Sequence, residues 1–200
     1  MPGIRILHED EDVIVVETSF GWTNKNFDSM KNPYAEKEER VGGFRSTVQG
    51  QATGLRTLMD RVSKVPGGKG LGVFYWEPDW YAVPGAGAFK DKGDEWDNLA
   101  MFDKNGKALE SWQVFNDVSD ASLPTVKPVF KEADTVTAEV GKGVPAKLPA
   151  STRVTYSDDH SVDLPITWDN PSPTFAQPGK YTVKGTVTVD GVKHPVTGDI

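Results

Sequence analysis

The chain has 200 residues, a formal net charge of −7 and a sequence pI near 5.0. It holds no block or stripe of Lys and Arg, which excludes the electrostatic footprint of a nucleic-acid binder. It has no cysteine, which excludes disulfides and thiolate metal sites. No apolar run reaches the length of a membrane span, and Met1-Pro2-Gly3-Ile4-Arg5 carries no secretory apolar core.

The first strong signal is Val13-Ile14-Val15-Val16. Four β-branched residues in a row predict a strand covered on both faces, as in a parallel sheet. Glu17 follows at once, with Phe20 and Trp22 close behind. An acid at the C-terminal end of a parallel strand is where a (β/α)8 barrel keeps its chemistry. A Glu that merely meets solvent in a loop is the plainer reading.

A polar stretch without period runs from Ser19 to Arg45 and reads as loop. Over Thr47–Val65 the apolar residues Ala52, Leu55, Leu58, Met59, Val62 and Val65 follow a 3.6-residue period, predicting a helix. Ser46 or Thr47 is placed to cap it, and Pro66-Gly67-Gly68 stops it. A second buried strand, Leu71-Gly72-Val73-Phe74-Tyr75-Trp76, precedes Glu77-Pro78. Strand, helix, strand in this order predicts a parallel βαβ unit. Residues 86–97 read as loop, Asp103-Lys104-Asn105-Gly106 as a turn, and Leu109–Phe115 as a terminal helix.

Composition then changes. Residues 116–131 are polar with two prolines and read as a linker. Beyond them come short alternating segments: Thr135–Val140, Arg153–Tyr156, Val162–Ile166, Tyr181–Val189 and Val192–Val196. Turn residues separate them, Asp190-Gly191 being a strong hairpin signal. The pattern predicts an antiparallel β-sandwich.

Several segments of residues 12–115 resemble the end of the catalytic barrel of family 53 glycoside hydrolases, the arabinogalactan endo-β-1,4-galactanases. They are Val13-Ile14-Val15-Val16-Glu17-Thr18-Ser19, Thr47-Val48-Gln49-Gly50-Gln51, and the run from Val65-Pro66-Gly67-Gly68 to Tyr75-Trp76-Glu77-Pro78. Trp96-Asp97-Asn98, Ala100-Met101-Phe102-Asp103 and Asn105-Gly106-Lys107-Ala108-Leu109 continue the match in the same order. Residues 132–200 resemble a bacterial immunoglobulin-like domain through Leu148-Pro149, Val154-Thr155-Tyr156, Ile166-Thr167-Trp168 and Pro178-Gly179-Lys180-Tyr181.

The resemblance implies the last two βα units of a (β/α)8 (TIM) barrel over 1–115, a linker over 116–131 and an all-β immunoglobulin-like sandwich over 132–200. It implies that Glu17 is the nucleophile of a retaining glycosidase at the end of strand seven. The acid/base partner belongs after strand four, which these residues do not contain. Such a barrel needs about 250 residues and eight strands, so the expectation is a C-terminal piece of a longer enzyme, inactive alone. Glu77, at the other strand end, is not the acid/base in that resemblance. Trp76 resembles the stacking platform under the sugar at the cleavage point, and Trp22 and Trp80 flank it on loops. Sugar C–H faces stack on such rings, although core packing is the ordinary use of each. Trp96 and Trp112 read as structural, and Trp168 as sandwich core.

Bacterial members of the family carry calcium between loops seven and eight, and the resemblance implies ligands here at Asn26, Asp28, Asn32 and Asp97, with Asp94 as a further oxygen. Met30 stands where the family usually has a histidine, which weakens the match. A solvated polar loop is the alternative. His8, His160 and His194 form no constellation, and the acidic run His8-Glu9-Asp10-Glu11-Asp12 reads as a solvated helix end. The expected partner is plant cell-wall galactan or arabinogalactan, outside the cell. The competing function is a non-catalytic immunoglobulin-like wall- or carbohydrate-associated module behind a barrel remnant.

Overall fold

The computed structural model describes residues 11–81, 93–120, 122–123 and 125–200. The reading of 86–92 as loop, His8 and most of the acidic run at 8–12 lie outside the described residues. The chain folds as two compact units: residues up to Lys127 with Asp158–His160, and Pro128–Ser157 with Ser161–Ile200.

In the first unit, strand β1 (Val13–Thr18) pairs in parallel with β2 (Gly70–Tyr75), across helix α2 (Val48–Ser63). The expected βαβ unit is therefore present. Thr47 caps α2, its hydroxyl accepting from Gly50 N at 2.9 Å. The Pro66–Gly68 segment is a 3-10 turn in which Gly67 takes φ 73°, the left-handed step that a residue with a Cβ resists. Leu55 of α2, Met101 and Val114 form the buried core, with Phe20, Met59, Val73 and Tyr75 against it. Gly54 has a packing reason: a Cβ there would stand 2.6 Å from the Phe20 ring, so the loop after β1 seats directly on the helix.

Three expectations need correction. β1 and β2 are not covered on both faces. Val73 and Tyr75 pack toward α2, but the alternating residues Ile14, Val16, Phe74 and Trp76 are 45–59% exposed. The sheet has two strands only, and that face stays about half open to solvent. Second, the polar stretch 19–45 holds a helix, α1 (Glu36–Gly42), closed by Gly43 at φ 77°. It escapes a periodicity test because Glu36-Lys37-Glu38-Glu39-Arg40-Val41-Gly42 has no apolar stripe; Glu38 reaching back to Ala35 N at 3.1 Å starts it instead. Third, the terminal helix is a 3-10 segment, Glu110–Gln113, running into a short α3 (Val114–Asp117).

The second unit has two sheets. One orders β3-β5-β6 (Phe130–Ala133, Ser151–Tyr156, Ser161–Pro165). The other orders β4-β9-β8-β7 (Val136–Thr137, Val192–Asp199, Thr182–Val189, Thr167–Trp168). Val154 of the first sheet and Val187, Val189 and Val196 of the second share one buried cluster, with Trp168 packed against it. The Trp168 indole donates to Pro149 O at 2.8 Å. Asp190-Gly191 turns the β8–β9 hairpin with both φ angles positive, 48° and 80°, as a two-residue type I′ turn requires. Two details differ from a purely antiparallel pattern. β3 begins inside the stretch read as linker, and β4 pairs with β9 in parallel, Val136 beside Gly198. Short Val136–Thr137 shows too few alternations for its direction to be legible.

Candidate active site

The sequence-named carboxylate and its neighbouring indole lie at the C-terminal ends of the two parallel strands. Glu17 is the penultimate residue of β1, exposed, with no hydrogen bond or ion pair among the described residues. Trp76 follows β2, and its backbone N donates to Thr18 O at 2.8 Å. That bond sets the residue after the carboxylate beside the backbone of the 48% exposed indole. Glu77 comes next, half-buried, at φ 46°.

Beneath these ends lies a buried polar hub. Gln51 of α2 is 0% exposed. Its Nε2 donates to Phe20 O and Ala100 O, both at 2.9 Å, and its Oε1 accepts from the Ser111 hydroxyl. The Tyr75 hydroxyl donates to Leu99 O at 2.7 Å and accepts from Phe20 N at 3.0 Å. Burial pushes the Tyr75 phenol well above its ordinary pKa, so it stays a neutral donor. Two side chains thus satisfy backbone groups of the loop after β1 and of the loop after β2. Isolated loops crossing a core leave such groups unpaired at a cost.

A second network joins the same two loops. The Trp22 N donates to Asn98 O at 3.0 Å and its indole to Asp97 O at 3.2 Å. Asn98 Nδ2 donates to Thr23 O and Tyr34 O. Asp28 accepts from Met30 N and Asp94 N, both at 2.6 Å. The buried Glu39 carboxylate accepts from Ser46 N at 2.8 Å and Asn24 Nδ2 at 2.9 Å and pairs with Arg45. Within this network both Asp97 carboxylate oxygens, Asn32 Oδ1 and Asn98 Oδ1 are buried without a hydrogen-bond partner. Burial raises the Asp97 carboxyl to about 6, and the charges of Asp28 and Asp94 add to the rise.

The sequence-named residues do not all converge on one place. Glu17 and Trp76 come together at the strand ends, with half-buried Trp80 on the turn after Glu77, its N donating to Glu77 O at 3.3 Å. Trp22 stacks on Phe27, ring centroids 5.4 Å apart, and is held by its indole bond. Asn32 and Asp97 face inward with unpartnered oxygens. Asn26 is exposed and gives its amide to Asp28 O at 3.1 Å, and both Asp28 oxygens already hold backbone amides. Trp96, read as structural, is 38% exposed, whereas Trp112 does pack on the core. Sequence reasoning assigns no role to Gln51, Tyr75, Glu39 or Asn98. One signal is available for Gln51: it lies at i, i+4, i+7 and i+11 with Leu55, Leu58 and Val62, a polar residue on an apolar stripe.

A parallel βαβ unit with a carboxylate at a strand end is the kind of piece that the C-terminal face of a (β/α)8 barrel is built from. The profile described as Glycosyl hydrolase family 53 matches residues 7–115, and the chain belongs to that family. A second profile, Bacterial Ig-like domain (group 4), matches residues 133–192. The chain is 35% identical over 141 residues to an endo-beta-1,4-galactanase of Bacillus subtilis (strain 168), covering 56% of this chain and 32% of that protein. It is 37% identical over 95 residues to an arabinogalactan endo-beta-1,4-galactanase of Cellvibrio japonicus, covering 48% and 24%. Among solved structures, the Ignisphaera aggregans GH53 catalytic domain aligns with TM-score 0.52 and 38% identity, over 56% of this chain and 31% of that one. The chain thus spans a quarter to a third of the length of the curated relatives it matches.

Proposed function

We propose that residues 1–115 are strands seven and eight, with their helices, of a retaining endo-β-1,4-galactanase barrel that acts on galactan or arabinogalactan outside the cell. The part of residues 116–131 that precedes β3 is a linker, and the unit that begins at Pro128 an immunoglobulin-like domain. The observation that carries the reading is the placement, at adjacent parallel strand ends, of the Glu17 carboxylate, without a partner among the described residues, and the exposed Trp76 ring. In this reading Glu17 attacks the anomeric carbon of a galactosyl unit stacked on Trp76 and forms a glycosyl-enzyme intermediate. Trp22 and Trp80 border neighbouring subsites. The acid/base carboxyl of a retaining pair sits about 5 Å from the nucleophile and comes from a βα unit outside these 200 residues. The open face bearing Ile14, Val16 and Phe74 supports this, since an eight-stranded barrel buries that face in its interior.

These 200 residues alone are therefore expected to release no galacto-oligosaccharides from β-1,4-galactan. Chromatography of the digest checks this. Reducing-end release by the isolated chain would favour a self-sufficient site and sink the assignment of a missing acid/base.

Calcium is the one ion the reading calls for. Among the described residues no three His, Cys, Asp or Glu side chains are arranged to hold a metal, so a cation here rests on mixed amide and carboxylate oxygens. The unpartnered buried oxygens of Asn32 and Asp97 fit a hard cation, with Asp28 beside them; the exposed Asn26 fits less well. Asn32 and Asp97 would hold the ion, which supplies charge that ties the two loops together. Adding calcium at about 100 times its Kd is expected to stabilise the first unit by about 2.7 kcal/mol, read as a rise in melting temperature. Asp97→Asn should lose that rise. An equal rise in the variant would remove Asp97 from the site.

A further inference from the structure

Three non-glycine residues hold positive φ among the described residues: Glu77 at 46°, Asp159 at 61° and Asp190 at 48°. Asp190 turns the β8–β9 hairpin and Asp159 the β5–β6 connection. Asp tolerates this conformation in such turns because its short side chain bonds locally. Glu77 has neither excuse. It ends a strand instead of joining two, its side chain is long, and Pro78 follows, which steers the preceding residue toward extended backbone. A residue held in this region persists only where its surroundings over-determine it, and such residues cluster at functional sites.

The surroundings do over-determine it. Trp76 N is bonded to Thr18 O at 2.8 Å on one side, and Met101 N to Pro78 O at 2.6 Å on the other. The turn closes through Trp80 N to Glu77 O at 3.3 Å. None of these bonds uses the Glu77 side chain. The half-buried carboxylate makes no hydrogen bond or ion pair among the described residues, so the side chain's own polar bonds are not what holds the conformation. What the conformation achieves is placement: it sets an acceptor-only group directly after the exposed Trp76 ring and before Trp80.

We propose that Glu77 is a substrate-contacting, specificity-determining residue whose carboxylate accepts hydrogen bonds from hydroxyls of the galactosyl unit stacked on Trp76. The proposal rests on Trp76 being the sugar platform. A carboxylate offers two oxygens and accepts from neighbouring hydroxyls at once, while the ring takes the C–H face. Rejection of sugars that lack a hydroxyl at that position follows, because the carboxylate would then be desolvated without a partner. Glu77 transfers no proton in this role.

The test uses the full chain with β-1,4-galactotetraose as probe, binding followed by ligand-observed saturation-transfer NMR and melting temperature by circular dichroism. The wild-type chain is expected to bind, Trp76→Ala to lose binding, and Glu77→Gln to weaken it by about tenfold, the loss of one charge-assisted bond. Glu77→Gly should weaken binding as much yet raise the melting temperature by about 2–4 °C, since glycine adopts this φ without penalty. A purely structural role would not separate these two readouts. Glu77→Gln binding as tightly as wild type while Trp76→Ala fails overturns the proposal and leaves the platform standing. Trp76→Ala binding normally removes the platform and the proposal with it, as does a wild-type chain without affinity. A lower melting temperature in Glu77→Gly also overturns it, because the conformation would then owe nothing to function.

Discussion

Glu17→Gln is expected to reduce galactan turnover by about 10⁴-fold or more once the chain is joined to the part of the Bacillus subtilis relative that it does not match. The amide keeps the size of the side chain and removes the charge that attacks the anomeric carbon, so the intermediate cannot form. A factor of that size corresponds to about 5 kcal/mol of transition-state stabilisation. Folding should be untouched, because Glu17 is exposed and bonds to nothing among the described residues. Its replacement disturbs no core, and surface changes of this kind stay within about 0.5 kcal/mol. The distinctive control is Glu17→Gly with added azide. A small anion entering the vacated space attacks from the same side, and the product is a galactosyl azide of inverted configuration. Turnover retained in Glu17→Gln, or no azide product with the glycine variant, would take the nucleophile role away from this residue.

Gln51→Leu is expected to unfold the first unit, at a cost of about 3–5 kcal/mol. The leucine fits the apolar stripe of α2, so hydrophobicity alone predicts a gain. The hub predicts the opposite. Ala100 O and the Ser111 hydroxyl lose their Gln51 partner together, and Phe20 O keeps only the Tyr75 hydroxyl at 3.1 Å; each buried unsatisfied group costs about 1–3 kcal/mol. Hydrogen exchange read by mass spectrometry separates the units: amides of α2, β1 and β2 should lose protection while those of β8 and β9 keep it. Gln49→Leu, two residues away on the exposed side of the same helix, should change stability by less than about 0.5 kcal/mol. A protected first unit in Gln51→Leu would show that the hub is incidental.

The two expectations differ in how far they are legible. Glu17 is found from its neighbours alone: a β-branched run ending on an acid is a local pattern, and so is the capped, periodic helix that follows. The Asp190-Gly191 hairpin is equally local. Gln51, Tyr75, Glu39 and Asn98 depend on partners between 7 and 75 residues away, which no window of sequence contains. α1 is invisible to pattern reading because a short charged helix, stabilised by its ends, has no periodicity to show. The two-sided burial expected of β1 and β2 fails for the converse reason. Apolar composition states what a strand is suited to pack against, not whether those groups are present in the chain.

The sequence by itself determined the local elements, the parallel order of β1 and β2 across α2, and the carboxylate and indole that stand at their ends. These follow from propensity, period and chain connectivity, which act over a few residues to a few tens. Tertiary structure alone decided three further things. It showed the hub beneath the strand ends and the buried oxygens of Asn32 and Asp97 left without partners. It also showed the left-handed backbone at Glu77, directly after Trp76, whose carboxylate has no partner among the described residues. Each is a question of which polar groups meet after the loops have folded back, and burial makes that meeting energetically decisive.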